Sequence, residues 1–164
     1  MVSRRMALSS LMISFAIACG GGGKAAEPTD DGTMLSPYVA IADTLAADEV
    51  SPLPELGARV TAAAEAHRSE PGVEAIVQGA GRIGAKDLET ARAAFKQLSD
   101  GMIQYLAAHP EQQSGHVIVH CPMTFGGKGA LWVQKQGKIM NPYEGARMLH
   151  CGDELGWDAE LPKT

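Results

Sequence analysis

This chain of 164 residues has only three cysteines, Cys19, Cys121 and Cys151. No two of them stand as CxxC, the spacing typical of a thiol oxidoreductase. There is also no nucleotide-binding glycine loop, no paired-carboxylate signature and no zinc-hydrolase spacing. Together these absences argue against an enzyme. No basic stripe runs through the chain: acids outnumber bases 19 to 14, for a net charge of −5, so nucleic acid is not an expected partner. The one sustained apolar stretch, Met6 to Ala18, is too short for a permanent membrane helix.

What is present begins with the N-terminus. Arg4 and Arg5 precede the apolar stretch, and no acid occurs before Glu27. This is the layout of an export signal, expected over residues 1–18. Ala16-Ile17-Ala18-Cys19, followed by Gly20, resembles the lipobox of bacterial lipoproteins, although Ala16 stands where that box prefers leucine. The resemblance implies lipidation of Cys19 and a place in the periplasm or cell envelope, with the lipid as sole membrane anchor. Removal of the signal takes away two arginines and no acid, so the mature chain is two units more negative. Residues 19–33 hold glycines, acids and one proline but no hydrophobic run, and read as the lipidated cysteine plus a flexible linker.

Residues 34–155 are long enough for one small domain, and 156–164 read as a tail. Up to Gln113 the hydrophobic spacing is helical. Ser36-Pro37 and Ser51-Pro52 read as helix starts. Leu56, Val60, Ala63, Ala64 and His67 share one face, as do Val73, Ile76, Val77, Ala80 and Ile83. Gly79 and Gly81 weaken that second segment and would let neighbouring helices approach closely. The strongest stripe is Leu88, Ala91, Phe95, Leu98, Met102 and Tyr105, with Asp87 as cap and Pro110 as stop. Short connections favour antiparallel neighbours. After Gln113, HVIVHC (116–121) alternates as a strand, ALWVQ suits a second strand, and Asn141-Pro142-Tyr143 opens a turn. The expected fold is mainly α: a small antiparallel helical bundle with a C-terminal β-hairpin and loop appendage, ending in an irregular acidic tail.

That appendage carries His, Cys and Met twice, as His120-Cys121-Pro122-Met123 and as Met148-Leu149-His150-Cys151. On an extended strand Cys121 and Met123 share a face while His120 points away. On a helical turn Met148 and Cys151 share a face. The economical ligand set is therefore Cys121, Met123, Met148 and Cys151, with His120 and His150 in reserve. Thiolate with thioether selects a soft ion: Cu(I), with Ag(I) chemically close, and zinc a poorer fit. Calcium and magnesium need hard oxygen donors. The competing reading is a Cys121–Cys151 disulfide, closing a loop of about 30 residues for roughly 3 to 4 kcal/mol. The spacing and an oxidising compartment rank that disulfide first.

A resemblance reverses that ranking. Cys121-Pro122-Met123, Gly129-Ala130 before Trp132, Asn141-Pro142-Tyr143, Gly145, Met148 and Cys151-Gly152 together resemble a family of bacterial periplasmic domains of formally unknown function. Such domains occur alone or attached to periplasmic adaptors of copper and silver efflux pumps. The likeness covers about residues 34 to 155. It implies heavy-metal binding, a chaperone or buffer role in metal tolerance, and an efflux adaptor as partner. Trp132 is expected to anchor the hairpin, ahead of the alternative that it packs over the site and excludes water, and Asn141, Pro142 and Tyr143 to hold the loop. The alternative from another class is a disulfide-stapled envelope interaction module without metal.

Overall fold

A computed structural model describes residues 32–164. The expected signal segment, Cys19 and nearly all of the linker lie outside these residues. The chain is mainly α, with one small antiparallel sheet. Four helices come first: α1 (Leu35–Ala46), α2 (Leu53–Ala64), α3 (Val73–Arg82) and α4 (Leu88–Ala108). Each packs on the next in the chain, and α1 also meets α4. Helical spacing selects many of their buried side chains, among them Tyr38 and Leu45 from α1, Val60 from α2, Ile76 from α3, and Phe95, Leu98 and Met102 from α4; Ile41 and Leu53 are buried as well.

Helix ends divide into those that local chemistry dictates and those it does not. Asp87 caps α4, its carboxylate accepting from Thr90 N–H at 2.8 Å, and the helix stops before Pro110. Ser36 does not cap α1; the helix starts at Leu35 with Met34 at the cap position and no side-chain bond. Pro52, not Ser51, occupies the cap position of α2, again without a side-chain bond. His67 falls beyond α2, in a short 3-10 turn.

The two glycines of α3 differ. A Cβ at Gly79 would lie 2.6 Å from the Leu98 backbone nitrogen, so this glycine sets how closely α3 and α4 approach. Gly81 has nothing within 4 Å and merely weakens the helix.

The hairpin forms as the alternation predicts. β1 (His116–Cys121) pairs antiparallel with β2 (Ala130–Lys135), from His116 opposite Lys135 to Cys121 opposite Ala130. The following residues depart from the expected irregular tail. Asp153–Leu155 form β3, which pairs with the other edge of β1 and makes β1 the central strand. Trp157 packs on the core and donates to His116 O at 3.1 Å, and Leu161 also packs there. Three residues are too few to show an alternating pattern, so this strand exists only because β1 offers an open edge.

β2 is an edge strand, yet tyrosines satisfy its backbone. Val133 N–H donates to Tyr38 Oη at 2.9 Å, and Tyr143 Oη donates to Leu131 O at 2.8 Å. The sheet is thus fastened to α1 and to the loop after β2. Burial pushes both phenol pKa values up well beyond their ordinary range, so both rings stay neutral.

Candidate functional site

Two loops carry the sulfurs, one following β1 and the other preceding β3. Cys121, the last residue of β1, is fully buried. It is disulfide-bonded to Cys151, with the Cα atoms 5.8 Å apart. The two clusters therefore meet through their cysteines.

The other expected ligands are placed differently. The strand ends at Cys121, so Cys121 and Met123 do not share a face. Met123 has helical backbone angles (φ −83°, ψ −16°) and is 58 % exposed, while Cys121 points into the core. Pro122 is the physical reason: it has no N–H to continue the ladder, and the chain turns. Met148 closes the 3-10 turn Gly145–Arg147 and is half-buried; its carbonyl accepts from Cys151 N–H at 3.0 Å. His120 is half-buried over Gly129, where a Cβ would come within 2.8 Å of Nε2. His150 is exposed and donates from Nδ1 to Ile139 O at 2.7 Å. Neither histidine is joined to the sulfurs. Among the described residues, no three His, Cys, Asp or Glu side chains stand as a ready-made metal-ligand cluster.

The loop bearing Cys151 is held by a polar network. Asn141 is its hub. Its Oδ1 accepts from Tyr143 N–H at 2.9 Å and Glu144 N–H at 3.1 Å. Its Nδ2 donates to Cys151 O at 3.0 Å, and its own N–H donates to Leu149 O at 2.7 Å. One buried side chain thus ties the turn to the cysteine's own peptide. Gln134 braces the approach to it, accepting from Trp132 Nε1 at 3.1 Å and Met140 N–H at 3.2 Å. Trp132 itself is fully buried, with its ring edge-on to Tyr143.

A second latch joins the loop to the helices. α1 ends with Asp48 in the left-handed region (φ 60°) and with Glu49 N–H donating to Thr44 O. That turn presents the Asp48 carboxylate to Ala146 N–H at 3.0 Å and to Arg92 Nη2 at 2.6 Å. Arg92, on α4, also donates to Pro142 O at 2.9 Å and Leu45 O at 3.0 Å. The Ala146 amide first, and Arg92 next, hold the Asp48 carboxyl below its ordinary range. Gly145 lies directly against this pair at φ +53°, and a Cβ there would collide with Asp48 Oδ1.

In comparisons with protein-family models, curated proteins and solved structures, nothing matches the chain. The site therefore has to be read from its own chemistry. With their sulfurs joined, Cys121 and Cys151 offer no thiolate, so a soft ion needs the reduced pair. A cleft of about 570 Å³ opens between α4, the turn after β1 and the Asn141 loop, lined by Arg92, Thr124, Phe125, Tyr143, Glu144 and Arg147 among others, and none of the four sulfur residues lines it. Arg147 is paired with Glu144 and Arg92 with Asp48. Among the described residues no helix is long and apolar enough to cross a membrane.

Sequence reasoning missed Asp48, Arg92 and Gln134. Asp48 follows a helical pattern and precedes an acid, so nothing local marks it as a latch. Arg92 lies off the apolar stripe of α4 and reads as solvated. Only a long polar side chain inside the otherwise apolar ALWVQ strand hinted at Gln134.

Proposed function

We propose that this is a heavy-metal-binding protein of the cell envelope, taking Cu(I), or the chemically close Ag(I), when its disulfide is reduced. Zinc fits this donor set less well. The ion is cargo, held by the Cys121 and Cys151 thiolates with thioethers from Met123 and Met148. One observation supports the reading above all: two cysteines 30 residues apart meet at one corner, with a methionine two residues beyond the first and three before the second. Met123 is exposed, so its thioether is open to an arriving ion. The reading takes the helices as an antiparallel bundle serving as a rigid base. Lipid on Cys19 tethers the protein in the periplasm, and an efflux-pump adaptor receives the ion by ligand exchange. No catalytic role is proposed.

The second reading is the disulfide-stapled interaction module. The bond itself and the full burial of Cys121 favour it. Chain-entropy arithmetic assigns such a staple about 3 to 4 kcal/mol.

An anaerobic Cu(I) titration against a competing colorimetric chelator separates the two, using protein with Cys19→Ser in reduced and oxidised forms. The metal reading expects one-to-one binding by the reduced form alone, weakened by Cys121→Ser and by Met148→Ala. If the reduced protein fails to compete even with a weak chelator, the staple reading takes its place.

A further inference from the structure

A separate group of metal-type side chains lies where the turn after α2 meets the C-terminal end of α4. Glu70 stands between two imidazoles. His67 Nδ1 is 2.8 Å from its Oε1, and His109 Nε2 is 2.6 Å from its Oε2. The far nitrogen of His109, Nδ1, is 3.2 Å from Glu111 Oε1. The Tyr105 ring packs against both imidazoles, at 5.7 Å and 4.3 Å between centroids. The side chains of His67, Glu70 and His109 are 37 %, 30 % and 25 % exposed, sheltered but reachable from solvent. Arg68, next to His67 in the chain, is paired with Glu65.

We propose that His67, Glu70 and His109 form a binding site for a borderline divalent cation of the Zn(II) type, with Glu111 orienting His109. The donor set argues for this class. Two imidazoles and a carboxylate suit zinc, whereas calcium and magnesium seek all-oxygen shells and Cu(I) seeks sulfur. The second carboxylate supplies what a metal-binding histidine ordinarily has, an acceptor on its far nitrogen that sets the ring's direction. The group is not a ready-made cage, because two N–H···O hydrogen bonds close it. A carboxylate only accepts, so each contact places a hydrogen on the ring nitrogen. When an ion binds, each neutral ring moves its hydrogen to its other nitrogen, on His109 toward Glu111, and the lone pairs so freed on His67 Nδ1 and His109 Nε2 take the ion at about 2.0 to 2.2 Å. Both histidines sit at helix ends rather than within the packed core, so this movement disturbs little. Three protein ligands leave the remaining coordination to water.

The site is independent of the sulfur corner, and one experiment keeps the two apart. Zn(II) alone is titrated into the disulfide-bonded protein carrying Cys19→Ser, which offers no thiolate. Calorimetry gives the stoichiometry, and histidine ring NMR signals locate the ion. One equivalent is expected, shifting the rings of His67 and His109 and leaving His116, His120 and His150 in place. Glu70→Gln should weaken binding by at least about 10-fold and Glu111→Gln by about 10-fold, with unchanged circular dichroism. Unmoved His67 and His109 signals, or Zn(II) affinity retained in Glu70→Gln, overturn the proposal.

Discussion

The two loops that meet at the disulfide are built in opposite ways. The segment from Asn141 to Cys151 is fastened at many points: by Asn141 from within, by Asp48 and Arg92 from the helices, and by Gly145 against that ion pair. The segment from Pro122 to Gly129 has fewer polar ties, although Thr124 is buried and the Phe125 ring packs edge-on to Tyr143 at 5.5 Å. Its backbone bonds run within the loop, Gly127 to Met123 and Gly129 to Thr124, and it leaves Met123 and Phe125 exposed. One cysteine therefore rides on a fixed platform, and the other leads straight into an open turn. Under the proposed function that division matters, since the fastened half sets the geometry and the exposed Met123 thioether stands open to an arriving ion.

Substitutions test this contrast most severely on the fixed side. Gly145→Ala forces a side chain into a left-handed position and into the Asp48 carboxylate. It should cost about 3 kcal/mol, visible as a lowered urea midpoint with unchanged slope. Asn141→Ala strands the buried amides of Tyr143 and Glu144 and should cost about 2 kcal/mol in the same measurement. A loss for either variant no greater than that of a surface change would deny the platform its rigidity.

Asp48→Asn keeps the turn but removes the charge. The folded carboxyl titrates below its ordinary range, so its contribution is present at neutral pH and lost as pH falls through the lowered value. Because the side chain is 36 % exposed, solvent screens it, and about 1 kcal/mol is expected at neutral pH. Unfolding curves of the two proteins should converge in acid below the ordinary carboxylate range; a constant gap would assign the effect to something other than this charge.

The smallest stability effect belongs to the open turn. Met123→Ala should change stability by no more than about 0.5 kcal/mol, while lowering Cu(I) affinity of the reduced protein under the proposed function. A large stability loss would place Met123 in a packed role that its 58 % exposure does not indicate.

Much of the helical part was legible because its signals are local. The stripes through Val60, Ile76 and Phe95 follow the helical period, and Asp87 caps by reaching an amide three residues away. The hairpin was equally legible, since alternation along 116–121 and a glycine-rich connection lie within one short stretch. The serine starts failed: a proline just after each serine marks the first turn without selecting which residue caps it. For the candidate site, the cysteine pair was foreseeable as one of two readings. The placing of Met123 was not, because extending the strand period through Pro122 assumed a ladder that proline ends.

The sequence by itself determined where helices and hairpin form, which faces are apolar, and that two cysteines stand beside methionines near the C-terminus. Those features depend on neighbours a few residues away. Only the tertiary structure decided that Cys121 meets Cys151, that Asp48 and Arg92 latch the loop, and that His67, Glu70 and His109 share one corner. Apart from the local His67–Glu70 pair, these contacts join residues 30 to 98 positions apart. Their partners are chosen by how the helices and sheet pack, and no local period records that choice.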